Sequence, residues 1–142
     1  LVHSERGAAI IAGGRQDWDT RCIPAVCFTD PEIVAVGLSP DEARKSGHNS
    51  QTGIFPFQAN GRTMTIERED GFIRVVARAD NHLILGIQAV GVGISELSSA
   101  FALAVETGTR LEDIAGTIHA HPTLGEGFAE ASMKALGHAL HI

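Results

Sequence analysis

The chain has no tyrosine, one tryptophan and two cysteines in 142 residues. Two cysteines cannot build the disulfide framework of a small secreted domain. A chain of this length buries about 70% of its unfolded surface and needs no such staple. Positive charge is scarce: 11 Lys and Arg face 17 Asp and Glu, for a net charge of −6. That excludes a nucleic-acid partner held by clustered cations. Long apolar runs are missing too. The longest uncharged stretches, Leu83–Ser95 and Leu97–Val105, are separated by Glu96. Neither reaches the ~18 residues of a membrane helix, so no membrane span is expected. No basic-then-apolar leader opens the chain. It begins at Leu1 in mid-pattern, which reads as a fragment or a processed chain. A strand–GxGxxG–helix unit is also absent. Gly91-Val92-Gly93 has neither the third glycine nor a lysine, and reads as a turn, not a phosphate cradle.

What is present reads as short strands followed by helices. Ala8–Ala12 is a short apolar run, and Gly13 to Arg21 reads as a linker. Ala25–Thr29 and Ile33–Leu38 are β-rich runs divided by the turn dipeptide Asp30-Pro31. Ser39-Pro40-Asp41-Glu42 is a helix start with Ser at the N-cap, Pro at the first helical position and Glu three after the Ser. Gln51–Phe57 reads as a strand broken by Pro56. Phe72–Arg78 and Leu83–Val90 read as a hairpin across Ala79-Asp80-Asn81-His82. Ile73, Val75 and Ala77 alternate with Arg74, Val76 and Arg78, which predicts one more deeply buried face.

Ser95 is expected to cap a helix to Glu106, with Leu97, Ala100, Phe101, Ala104 and Val105 as its buried stripe. Leu111, Ile114, Ala115 and Ile118 give a further helical period. A last helix is expected from Thr123 to Gly137 on a stripe of Leu124, Phe128, Ala131 and Ala135, with Glu130 and Lys134 as an i,i+4 pair. Strands first and helices last predict an α+β fold: an antiparallel sheet with helices packed on one face.

The chemistry gathers where histidines are dense, at His119-Ala120-His121-Pro122-Thr123-Leu124-Gly125-Glu126. Pro122 pushes His121 out of the α region, so His121 sits on an extended bend just before a helix. Glu126 falls in the first turn of that helix. Its carboxylate can hydrogen-bond one imidazole nitrogen, set the tautomer and stabilise the charged ring, as an acid/base and its orienter do. Thr123-x-x-Glu126 is equally a capping box, which needs no catalysis. A zinc site on His119, His121 and Glu126 has no CxxC or HExxH behind it. His138 and His141 read as solvated residues at a helix end. Cys22 and Cys27 enter a strand with nothing to activate a thiolate, and read as structural.

Several of these segments together resemble a known family. Ile23-Pro24-Ala25-Val26-Cys27-Phe28-Thr29-Asp30-Pro31-Glu32-Ile33 with Val36-Gly37 looks like the opening of the C-terminal dimerisation domain of the pyridine nucleotide–disulfide oxidoreductases. Phe72–Arg78, Leu85-Gly86, Gly91 and Ser95-Glu96-Leu97 follow in the family's order. Thr117 to Glu126 resembles its closing active-site motif, in the form used by dihydrolipoamide dehydrogenases more than by glutathione reductases.

The resemblance implies a dimerisation domain over residues 23–142, with residues 1–22 a remnant of an FAD domain and its linker. It implies His121 as the acid/base, Glu126 as its orienter, and a homodimer in which this pair serves the partner subunit's active site. It implies dihydrolipoamide as substrate, FAD and NAD in the full-length enzyme, and service to a 2-oxo acid dehydrogenase complex. The cytoplasm is the expected location, or the mitochondrial matrix in a eukaryote. This chain carries neither the nucleotide fingerprints nor the family's redox dithiol segment, so alone it is expected to hold no flavin and to be inactive. The alternatives are a glutathione-reductase-like enzyme and a free-standing dimerisation module without catalysis.

Overall fold

The computed structural model describes residues 2–15 and 20–142. The expected linker over Gly13 to Arg21 therefore falls partly outside the described residues. Ahead of it, Val2–Ile11 forms helix α1, longer than the apolar run alone predicts.

Five strands form one antiparallel sheet: β1 Ala25–Cys27, β2 Glu32–Gly37, β3 Ser50–Pro56, β4 Phe72–Arg78 and β5 Ile84–Gly91, in spatial order β1-β2-β5-β4-β3. The α+β expectation holds. The hairpin β4–β5 occupies the centre, with Val75 opposite Ile87 and Ile73 opposite Ala89. Register places Val34, Val36, Phe55, Ile73, Val75, Ile87 and Ala89 on one face, all buried. That face carries the core, because side chains paired across strands point the same way. Arg74 and Gln88 stand opposite each other on the other face, joined at 2.8 Å. Part of that second face is also covered, since Leu38 crosses closely over Gly86 and Val76 is fully buried outside the main cluster.

The helices follow from local signals with some changes. Helix α2, Pro40–Lys45, has the full capping box: Ser39 Oγ accepts from the Glu42 N–H, and Glu42 accepts from the Ser39 N–H at 2.8 Å. Phe57, expected to end a strand, instead opens a 3-10 turn over Phe57–Ala59, and residues 58–71, unassigned from sequence, also hold the short helix α3, Gly61–Thr65. Ser95 is not an N-cap. It lies inside a 3-10 turn, Ile94–Leu97, and its N–H donates to Glu32 at 2.8 Å. Helix α4 then runs over Ser98–Glu106, burying Phe101 and Ala104 but leaving Ala100 exposed. Helix α5, Leu111–Gly116, stops short of Ile118, which is 98% exposed.

Helix α6, Glu126–Ala135, packs on β3, β4 and α5. It starts three residues after the expected Thr123. It lies very close to the sheet: a Cβ on Gly53 of β3 would fall 2.0 Å from the Ala131 carbonyl oxygen. Phe128 anchors it, edge-on to Phe101 with ring centroids 5.2 Å apart. Packing this tight makes α6 a rigid base for whatever its first turn carries. Among the described residues no helix is long and apolar enough to cross a membrane.

Candidate active site

The His121–Pro122 peptide is cis, and the bend it belongs to runs from α5 into the first turn of α6. Three side-chain bonds fix this bend. Thr123 Oγ1 donates to the Ala120 carbonyl at 2.7 Å. Asn60, buried at the start of α3, donates through Nδ2 to the Thr123 carbonyl at 3.1 Å, while its Oδ1 caps α3 by accepting from Arg62 and Thr63. His119 is turned back through Nδ1 onto the Thr117 carbonyl at 2.8 Å.

Glu126 makes both of the contacts read from the sequence at once. Its Oε2 accepts the Thr123 N–H at 2.7 Å, and its Oε1 lies 2.8 Å from His121 Nδ1. The capping box is half formed, because the Thr123 hydroxyl faces Ala120 instead of the helix. Burial pushes the Glu126 carboxyl up. The Thr123 N–H, the His121 hydrogen bond and the charges of His121 and His119 outweigh it, and the net direction is down from the ordinary carboxylate value. Glu126 is therefore ionised near neutral pH and can only accept. The proton on the shared bond then belongs to His121 Nδ1, which leaves Nε2 of the neutral ring with a free lone pair.

Exposure divides the pair in a useful way. The His121 side chain is 76% exposed and the Glu126 side chain 25%. The carboxylate is fixed and the ring is reachable. The two line a cleft of about 260 Å³ with Phe55, Asn60, Gly61 and Met64, among others. Gly61 stands beside the ring: a Cβ there would lie 3.6 Å from His121 Cε1. Geometrically, this arrangement can take a proton at Nε2 and hold the resulting imidazolium against Glu126.

Sequence reasoning missed Asn60 and Gly61. An Asn before a helical turn was a readable cap signal, but its tie to Thr123, 63 residues away, was not. The expected Glu130–Lys134 pair is replaced: Glu130 bonds His141 and the Leu140 N–H instead. His138 and His141 are both exposed as expected, and His141 is in addition bonded to Glu130. Among the described residues, no group of three or more His, Cys, Asp and Glu is placed to hold a metal.

With this geometry in place, comparison with known proteins decides the family. Residues 23–132 match the family described as pyridine nucleotide-disulphide oxidoreductase, dimerisation domain. The chain belongs to that family. It is 60% identical over all its 142 residues to dihydrolipoyl dehydrogenase of Pseudomonas aeruginosa, covering 31% of that protein. It is 47% identical to dihydrolipoyl dehydrogenase 2 of Haloarcula marismortui, covering 99% of this chain and 30% of that protein. The chain thus spans about a third of the length of these curated relatives. Among solved structures, LpdA from Mycobacterium tuberculosis superposes with a TM-score of 0.80 and 26% identity over 89% of this chain and 28% of that one. The HOCl-induced flavoprotein disulfide reductase RclA from Escherichia coli shares the fold, with a TM-score of 0.79 at 20% identity over 89% of this chain and 30% of that one.

The sheet pairs antiparallel among the described residues, unlike the parallel βαβ crossover with a glycine-rich turn of the doubly wound dinucleotide folds.

Proposed function

We propose that this chain is the C-terminal interface domain of a dihydrolipoyl dehydrogenase, preceded at residues 1–22 by a remnant of its FAD domain and the linker. In this reading the domain forms a homodimer, and His121 with Glu126 serves the partner subunit's active site. The whole enzyme oxidises dihydrolipoamide with NAD+, uses FAD, and works for a 2-oxo acid dehydrogenase complex. Support comes from the dihydrolipoyl dehydrogenases among the relatives, which favour this reading over a glutathione-reductase-like one. The observation that carries the site assignment is the 2.8 Å contact that leaves Nε2 free above a fixed carboxylate.

The proton step follows from the chain's own residues. A thiol with a pKa near ~8.5 is mostly protonated at neutral pH. His121 Nε2 takes the proton from one thiol of the dithiol, giving a thiolate and an imidazolium, and Glu126 stabilises the imidazolium. Electron transfer belongs to parts of the whole enzyme other than this chain.

The decisive experiment is His121→Gln in the full-length enzyme. Dihydrolipoamide oxidation is expected to fall about 10²-fold or more, the usual scale of general-base loss, with flavin content unchanged. Near-wild-type turnover would remove the assignment.

A further inference from the structure

A second imidazole–carboxylate pair builds one wall of the same cleft. Glu130 follows Glu126 by about one turn of α6, so the two carboxylates share a helix face. Glu130 is 4% exposed. Its Oε2 accepts the Leu140 N–H at 3.2 Å, and its Oε1 bonds His141 Nδ1. The C-terminal tail is thereby folded back over the helix. His141 joins His121, Glu126 and Glu130 around one cleft. A carboxylate this buried needs partners for its charge. The i,i+4 lysine does not supply them; the tail does.

We propose that Glu130 and His141 are positioning residues for His121: the tail satisfies Glu130, so the His121 ring engages Glu126 alone. The proposal rests on His121 being the acid/base of the reaction. Two carboxylates on one helix face compete for an imidazole that lines the same cleft. With both Glu130 oxygens held, the His121 ring stays on Glu126 Oε1 and keeps Nε2 free. Without His141, Glu130 becomes a buried carboxylate with an open oxygen. It then draws the His121 ring, or favours its charged form. The remaining charged groups nearby are few. His119 on the bend is held on Thr117, and Arg62 on α3 is exposed. The other cleft residues, from β3 and the 57–64 segment, are uncharged.

The test is the pH profile of kcat/KM for dihydrolipoamide oxidation by the full-length enzyme. His141→Ala is expected to move the acid limb to higher pH by about half a unit or more, the size of one uncompensated charge at short range. Glu130→Gln is expected to move it to lower pH. His141→Gln, whose amide can still donate to Glu130, should restore the wild-type limb. A purely structural role predicts a lower Tm and a lower kcat with the limb in place, and that result overturns the proposal. If His141→Ala does not fold, the near-isosteric Glu130→Gln decides alone: an unmoved limb overturns it. His121→Gln separates the two levels. Its activity collapsing while the tail variants leave the limb fixed sinks only this inference, whereas its activity surviving sinks the base assignment itself.

Discussion

Two ends of the molecule carry the same chemical pair and use it differently. At the hairpin end, His82 Nδ1 bonds Glu112 on α5, and the His82 carbonyl accepts the Leu111 N–H at 3.1 Å. At the other end, His121 Nδ1 bonds Glu126 on α6. In the first pair the histidine is the more covered partner, at 34% against 53% for the glutamate. In the second the order is reversed, at 76% against 25%. The first pair staples a hairpin to a short helix. In the second the carboxylate is locked by packing and by the Thr123 N–H, and the ring is left exposed over a cleft. An imidazole–carboxylate contact is therefore not a site by itself. What separates the two is which partner the fold immobilises, and α6 pressed on the sheet immobilises the carboxylate.

The largest expected effect breaks the comparison if the two ends prove alike. In the full-length enzyme, His121→Gln lowers dihydrolipoamide oxidation about 10²-fold or more, while His82→Gln stays within about twofold. Steady-state kinetics of both variants checks this. Equal losses would show that neither pair is special.

Packing gives the next contrast. Gly53→Ala drives a Cβ into the Ala131 backbone beneath α6, and about 2 kcal/mol of stability is expected to go, on the scale of overpacked cores. Gly116→Ala at the end of α5 has nothing within 4 Å, and is expected to be neutral or to stabilise by up to about 1 kcal/mol. Urea midpoints of the two variants measure this. An undisturbed Gly53→Ala protein would contradict the rigid seat assigned to α6.

Glu126→Gln is expected to cost about tenfold in kcat/KM, less than the loss of the histidine, because in the proposed mechanism it removes the orienter and keeps the base. Glu112→Gln should leave kcat/KM where it is. An unchanged Glu126→Gln enzyme would leave Glu126 as a helix-start residue and nothing more.

The smallest effect is in pH and salt. Glu126 is pushed up by burial but held below the ordinary carboxylate value overall by Thr123, His121 and His119. Glu112 is lowered chiefly by the hydrogen bond from His82. A carboxylate lowered by folding adds stability above its unfolded value, near ~4.3 for Glu, and that stability is lost as pH falls through the lower folded value. The stability difference between wild type and Glu126→Gln should thus shrink in acid and survive added salt. The corresponding difference for Glu112→Gln, at an exposed pair, should fade with salt at neutral pH. Denaturation series across pH and ionic strength separate the two.

Much of this molecule is legible wherever cause and effect lie within a few residues. The alternation at Ile73, Val75 and Ala77 settles which face of β4 is buried, because side chains in a strand repeat every second residue. Ser39 and Glu42 settle a helix start by three-residue spacing. His121, Pro122 and Glu126 settle most of the candidate pair, because a bend and a first helical turn bring i and i+5 together. Errors also stayed local: Ser95, Ile118 and Thr123 carry good helix signals that a 3-10 turn, an early stop and a late start override. Tertiary structure alone decided the rest. Asn60 reaches Thr123 from 63 residues away, Glu130 takes His141 instead of Lys134, and Gly53 lets α6 approach the sheet. Those contacts depend on how the helices and the sheet pack against one another, and no residue spacing encodes them, because buried polar groups take whichever partner the packing brings within reach.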